Sequence, residues 1–197
     1  MGRRSDHTRA ELEELILTHG HALMAEVGLA RFSGREVAKR IGYSIGTVHT
    51  VSGGQDRMVL AINARTLTLW AMDLRARLAQ AGDDRIAALV GGCFAFARLH
   101  PQLWAAVHDH HPEVAMAATD TAPRGMLARI VIEEVARARG SPAGPEVSAL
   151  GWSILATIHG HCHLALAGGA GALKDEQLEA AALARVREAV ASARLAG

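Results

Sequence analysis

Glycine stops at Gly42 and at Gly53-Gly54 cut residues 33 to 59, SGREVAKRIGYSIGTVHTVSGGQDRMV, into a short helix, a tight turn and a second short helix. Ser33 stands where it can cap the first helix, and Glu36, three positions on, can return a bond to the cap's own amide, the pattern of a capping box. Val37, Ala38 and Ile41 fall at one-turn spacings and give that helix a buried face, while Arg35, Lys39 and Arg40 lie on other faces. Ser44 is placed to cap the second helix, whose Val48 and Val51 turn inward. Ile45, Gly46, Thr47, His49 and Thr50 then make a face of small or polar side chains that can approach a major groove closely. Gln55 and Asp56 open a long apolar helix whose amide-rich end points at whatever the second helix touches, and a phosphate is the natural guest.

Upstream, Leu12, Leu15, Ile16, His19, Leu23 and Val27 recur at helical spacing over roughly residues 7 to 27, and Gly28 ends that helix before Phe32 packs back. Downstream of Gln55, alanine- and leucine-rich periodic segments are broken at Gly82, Pro101, Pro112, Pro123, the Gly140-Ser141-Pro142 stretch with Pro145, and Gly168-Gly169. These breaks predict helices over roughly 55–80, 84–99, 101–109, 122–139, 144–168 and 174–195, with no strand pattern. The expected fold class is all-α, with a three-helix helix-turn-helix domain over residues 1–54 followed by a helical bundle over 55–197. A first long helix running from one domain into the other would convert a small shift at one end into reorientation of the other.

A chain of 197 residues, half of them hydrophobic, can bury a continuous core. Its formal charge is only +1, and the region up to Arg65 holds nine basic against seven acidic side chains, a difference of two. Attraction to nucleic acid must therefore come from local clusters such as Arg3, Arg4 and Arg9, or the Arg35, Lys39 and Arg40 face. Cys93 and Cys162 lie far apart in apolar helical runs, without zinc spacing or the density of a disulfide scaffold, and read as buried thiols in a reducing cytoplasm. No uninterrupted apolar stretch reaches membrane-spanning length, and the charged N-terminus leads directly into a helix, so the expectation is a soluble cytoplasmic protein without a membrane partner.

Histidines gather at His100, His108, His110 and His111 and again at His159, His161 and His163 around Cys162. His159 shares a helix face with Cys162 and with His163, but His161 points elsewhere and no carboxylate stands beside them, so no metal site and no cofactor is expected. A small-molecule cavity suits these side chains better. Phe94, Phe96, Trp104, Val107, His108, Met126, Ile130, Trp152, Leu155, His159 and Cys162 offer apolar walls with a few polar handles, and core packing is the plain alternative for each of them. Without a phosphate-cradling glycine motif, GxSxG or HExxH, and with Asp83-Asp84 and Glu133-Glu134 placed as caps and solvated charges, an enzyme is not expected.

The run ILTHGHALMAEVGLARFSGREVAKRIGYSIGTVHTV, within residues 8 to 62, resembles the TetR/AcrR family of bacterial transcriptional regulators in its order of first helix, glycine, aromatic and helix-turn-helix. Trp152 followed by His159-Gly160 resembles the Trp-His-Gly signature of one C-terminal domain type in that family. The resemblance implies that the bundle is a ligand-binding and dimerisation domain. It further implies a homodimer through the last two long helices, where Ala149, Gly151, Ser153, Ala156, Gly160, Ala180, Ala184 and Ala191 permit close packing. Such a dimer would present two recognition helices to half-sites of a palindromic operator roughly 34 Å apart on double-stranded DNA, and a small-molecule effector would release the repressor. The resemblance departs at His49, Ser52 and Gln55, where the family usually carries Tyr, Phe and often Lys. Those departures motivate the alternative of a helical ligand-binding or interaction protein, derived from such a regulator, that has lost specific DNA binding.

Overall fold

Every regular element among the described residues, 7–167 and 174–192 of this computed structural model, is helical. In chain order they are α1 (Arg9–Val27), α2 (Gly34–Ile41), α3 (Ile45–Ser52), α4 (Gln55–Gln80), α5 (Arg85–Leu99), α6 (Pro101–Asp109), α7 (Ala118–Arg139), α8 (Pro145–Leu166) and α9 (Asp175–Ser192), with one 3-10 turn at Leu29–Arg31. The all-α expectation holds, and most spans agree with the periodicity within a few residues. The parts of the last two expected helices that reach residue 168 and residues 193–195 lie outside the described residues. The expected start of α7 at 122 is corrected to Ala118. There Asp120 takes the Ala117 amide at 2.6 Å, so the helix begins a turn earlier and carries Pro123 inside it, where the ring can give no N–H to the carbonyl of Thr119. No single described helix is long and apolar enough to cross a membrane.

Two compact units emerge. The first takes the chain up to Leu67 together with Gln102–Thr121, and the second takes Thr68–Pro101 with the chain from Ala122 onward. The first unit therefore reaches past the expected limit at residue 54, for a reason visible in its core. Leu12, Ile16, Leu23 and Met24 of α1, Val37 and Ala38 of α2 and Val48 of α3 are buried with Met58, Val59 and Ile62 of α4 and with Leu103 and Ala106 of α6. Removing the first half of α4 and α6 would strip one side from that core. Asn63 ties the same elements by donating from Nδ2 to the Ala106 carbonyl at 3.0 Å.

Within the second unit, α5, α7, α8 and α9 bury Leu89, Val90, Phe94, Ile130, Val131, Val135, Ile154, Ile158, Ala182 and Val186. Close approach is built in at Gly151, whose missing Cβ would stand 2.6 Å from Ile132 Cγ1, and at Gly92, where it would stand 2.7 Å from Leu74 Cδ1. Trp70 stacks on Phe96 with ring centroids 5.2 Å apart. Glu134, almost fully buried, holds Arg85 by two parallel bonds of 2.7 Å, and the third nitrogen of that guanidinium reaches the Leu78 carbonyl at 2.7 Å.

Candidate nucleic-acid interface

Val48, completely buried, fixes the rotation of α3 about its axis, and the opposite face is therefore turned to solvent. Gly46, His49 and Thr50 are exposed there, with Ile45, Thr47 and Val51 half-buried at its edges. Ser44 caps the helix as expected, its Oγ accepting the Thr47 amide at 3.0 Å and lying 2.9 Å from the Thr47 hydroxyl. The Thr50 hydroxyl donates back to the Gly46 carbonyl at 2.9 Å. Both hydroxyls are thus engaged within the helix, and the His49 imidazole is the largest polar group on the face. Its Nε2 lies 3.5 Å from where a Cβ on Gly34 would stand, so the ring leans on the first residue of α2.

The turn that aims α3 depends on backbone rather than side chains. Gly42 closes α2 in the left-handed region at φ 75°, and Gly53 closes α3 at φ 76°, conformations that favour glycine over any residue with a Cβ. The expected capping box at α2 is corrected: Ser33 occupies the cap position with extended backbone but makes no side-chain cap bond. The Gly34 amide is instead directed at Gln55 Oε1, 3.5 Å away, and Glu36 faces Lys39 and Arg40 at 3.9 Å and 3.8 Å. A complete capping box does exist on α1, where Thr8 Oγ1 accepts the Glu11 amide and Glu11 accepts the Thr8 amide at 2.7 Å. The spelling Thr8-Arg9-Ala10-Glu11 announces it in the sequence.

Charge on this unit is more tightly paired than the sequence suggests. Arg40 is gripped by both oxygens of Glu26, at 2.9 Å and 2.7 Å, which takes it out of the expected basic face. The same contact holds the Glu26 carboxyl below its ordinary range. Arg9 pairs with Glu13, Arg57 with Asp120 and Arg65 with Glu14. Arg35 is exposed and forms no ion pair with another described residue. Arg3 and Arg4, the remainder of the expected clusters, lie outside the described residues.

The start of α4 carries a feature that local pattern reading misses. Gln55 is exposed at the first position, and behind it Asp56 accepts bonds from the Glu113 and Val114 amides at 3.0 Å and 3.1 Å. Its other oxygen meets His110 Nε2 at 2.6 Å. Desolvation pushes the Asp56 carboxyl upward, but the His110 bond and the two amides outweigh it and hold the group below its usual range. A carboxylate in the first turn of a helix would repel a phosphate arriving there, and these three donors offset much of that repulsion. His110 is 54 residues away in sequence, and no signal in the chain links it to Asp56.

The residues expected to line a ligand cavity are divided. Trp104 and His108 sit on α6 in the first unit, whereas Phe94, Met126, Ile130, Trp152, Leu155, His159 and Cys162 belong to the second. Phe94, Ile130 and Cys162 are buried and Met126, Leu155 and His159 half-buried, but Trp152 is 54% exposed and stands on the outer side of α8. Burial raises the Cys93 thiol to about 12 and the Cys162 thiol further, which leaves both as inert packing groups. A cavity of about 260 Å³ in the second unit is walled by Arg75, Leu78, Arg85, Ile130, Glu134 and Arg137, among others, and takes in only Ile130 from the expected set. In the first unit a groove of about 410 Å³ runs between α1, the end of α3 and the start of α4, past Ile16, Leu17, Val51, Ser52 and Met58.

An all-α chain that presents a short helix across a glycine-closed turn from its neighbour, ahead of a long helical bundle, has the architecture of helix-turn-helix regulators. Comparison with solved structures makes this concrete. A protein of unknown function from Rhodococcus sp. RHA1 superposes with a TM-score of 0.72 at 20% identity, over 93% of this chain and 96% of that one. A TetR-family transcriptional regulator from Streptomyces coelicolor matches with a TM-score of 0.63 at 20% identity, over 94% and 99% of the two chains. A transcriptional regulator from Rhodococcus sp. RHA1 matches at 0.60 and 24% identity, over 91% and 96%. The chain has the fold of TetR-family transcriptional regulators. No family profile and no curated protein matches it.

Proposed function

We propose that this chain is a DNA-binding transcriptional regulator that works as a homodimer on a palindromic operator and is released by a small-molecule effector. The observation that carries the reading is the outward face of α3, with Gly46, His49 and Thr50 exposed on a helix anchored by the buried Val48. Small side chains let the helix backbone come close to base edges, and Thr47, His49 and Thr50 supply the polar groups there. Ser44, Arg35 and Gln55, all exposed around that face, would meet phosphates. Support for the dimer comes from the outer side of α8, where Ala149, Trp152, Ala156, Gly160 and Leu164 recur at helical spacing in solvent, with Ala180, Ala184 and Ala191 exposed on α9. The effector would enter the second unit near the half-buried Met126, Leu155 and His159, and would act only through its differential affinity for the two states.

Titration of the purified protein against the DNA upstream of its own gene, followed by fluorescence anisotropy at low and moderate salt, tests the reading. The expected result is sequence-selective binding that weakens steeply with salt. Binding no tighter than to random duplex at low salt would overturn it in favour of a relative that has lost its DNA contacts.

A further inference from the structure

Toward their C-terminal ends, α4 and α7 each turn one face to the same cavity of the second unit. Arg75, Leu78 and Ala79 line it from α4, and Ile130, Glu133, Glu134 and Arg137 line it from α7, in both cases at the spacing of three and four residues that marks a single helix face. Arg85, the first residue of α5, completes the wall. All of these residues belong to the second unit. Leu78 and Ile130 are buried and give the cavity an apolar floor, whereas Arg75, Ala79, Glu133 and Arg137 stand exposed at its rim.

Charge is unbalanced here, because three guanidiniums face two carboxylates. Glu134, which its place beside Glu133 in the sequence marks as a solvated charge, is instead buried and consumed by Arg85. Nε and Nη2 of Arg85 donate to its two oxygens at 2.7 Å each, and Nη1 donates to the Leu78 carbonyl at 2.7 Å. With both oxygens taken, Glu134 meets Arg137 only at 3.8 Å, and the Arg137 side chain remains 66% exposed. Arg75 forms no ion pair with another described residue. Two cations are thus left at the mouth, with only the exposed Glu133 against them. A buried Arg–Glu pair seldom stabilises a fold more than apolar packing would. Placed here, it keeps Glu134 from neutralising the rim.

We propose that this cavity binds a small carboxylate with a compact apolar body, an aryl or short-chain alkyl acid. Arg75 and Arg137 hold the carboxylate, since a guanidinium fork matches a planar oxyanion, and Leu78, Ala79 and Ile130 take the body. The volume of about 260 Å³ suits such a molecule. It lies just below the range of roughly 300–1,000 Å³ that drug-sized ligands occupy. None of Met126, Leu155 and His159, where the effector is placed above, lines the cavity, so this is a second site that goes beyond the regulator reading.

Isothermal titration calorimetry of the full-length protein tests it, with benzoate, phenylacetate and hexanoate as probes and benzamide and inorganic phosphate as controls. Saturable binding of at least one acid is expected at millimolar concentration or below. Benzamide has the body of benzoate without its charge and should bind roughly tenfold more weakly, or less. R75A and R137A should each lower affinity for the acid roughly tenfold, while the Arg85–Glu134 pair stays in place and thermal melts of the unliganded proteins stay near wild type. A79F fills the cavity without changing its charge and should abolish binding of the acid. No saturable binding of any of the three acids overturns the assignment. Benzamide or phosphate bound as tightly as the acid overturns it too, since the site would then select neither charge nor an apolar body. Wild-type affinity in any of the three variants places the acid elsewhere and has the same consequence. The measurement involves no DNA, so its failure leaves the operator reading untouched, and failure of operator binding leaves this site untouched.

Discussion

If α3 reads DNA as proposed, Thr47 is the residue on which recognition turns most sharply, because it sits at the half-buried edge of the proposed reading face one turn inside the Ser44 cap. Thr47→Glu would place a carboxylate against the phosphates and bases, and operator affinity is expected to fall more than a hundredfold while circular dichroism and sedimentation stay as in the wild type. Normal binding by that variant would show that α3 is not the reading helix. Asp56 supports a second expectation. Its carboxyl is lowered in the folded state, so its contribution to stability is present above the unfolded value of about 3.9 and is lost as pH falls through the folded one. Asp56→Ala should cost about 1–3 kcal/mol near neutrality, where His110 and two amides lose their acceptor. The gap between the variant and the wild type should hold above about pH 4 and narrow in thermal melts only as pH falls below it. The inward turn of Val48 and the exposure of Gly46 and His49 were legible from helical spacing alone. The pairing of Asp56 with His110 was not, since it joins two segments that only the tertiary fold brings together.

Among the elements, glycine punctuation carried most of the legible information: α2 and α3 end where Gly42 and Gly53 permit the left-handed backbone. Caps were less readable. Ser33 spells a capping box that does not form, because Gln55 is directed at the first amide of α2 and Glu36 turns to the cations of its own helix. Pro123 lies inside α7, just after the division between the two units, rather than at the start of a helix. The packing of α8 on α7 gives a clean pair of substitutions. Gly151→Val drives side-chain atoms into Ile132, whose Cα is only 3.3 Å from the ideal Cβ, and should destabilise by about 1–3 kcal/mol. Gly125→Ala, exposed on α7 with nothing within 4 Å of the added methyl, should stabilise by up to about 1 kcal/mol. Urea unfolding of the two variants reads both. A neutral Gly151→Val would show that the close approach of α7 and α8 is wrong.

At the scale of the whole molecule, helix count and order were open to sequence reasoning, but the division of the chain was not. Residues 102–121 belong with the first unit because Leu103 and Ala106 complete its core, and a linear reading has no means of returning a later segment to an earlier domain. The proposed dimer belongs to this scale too. Trp152 and Leu164 are 54% and 43% exposed on α8, a large apolar area for a helix to leave in water. W152E/L164E should sediment as a monomer at micromolar concentration and bind operator far more weakly, because the two half-sites would no longer be engaged together. A variant that remained dimeric would place the interface elsewhere. The most direct test of the central claim is selection of bound duplexes from a randomised DNA pool by the wild-type protein. The account predicts an inverted repeat with half-site centres about 34 Å, one helical turn, apart, whereas a pool that emerges without an enriched sequence would contradict it.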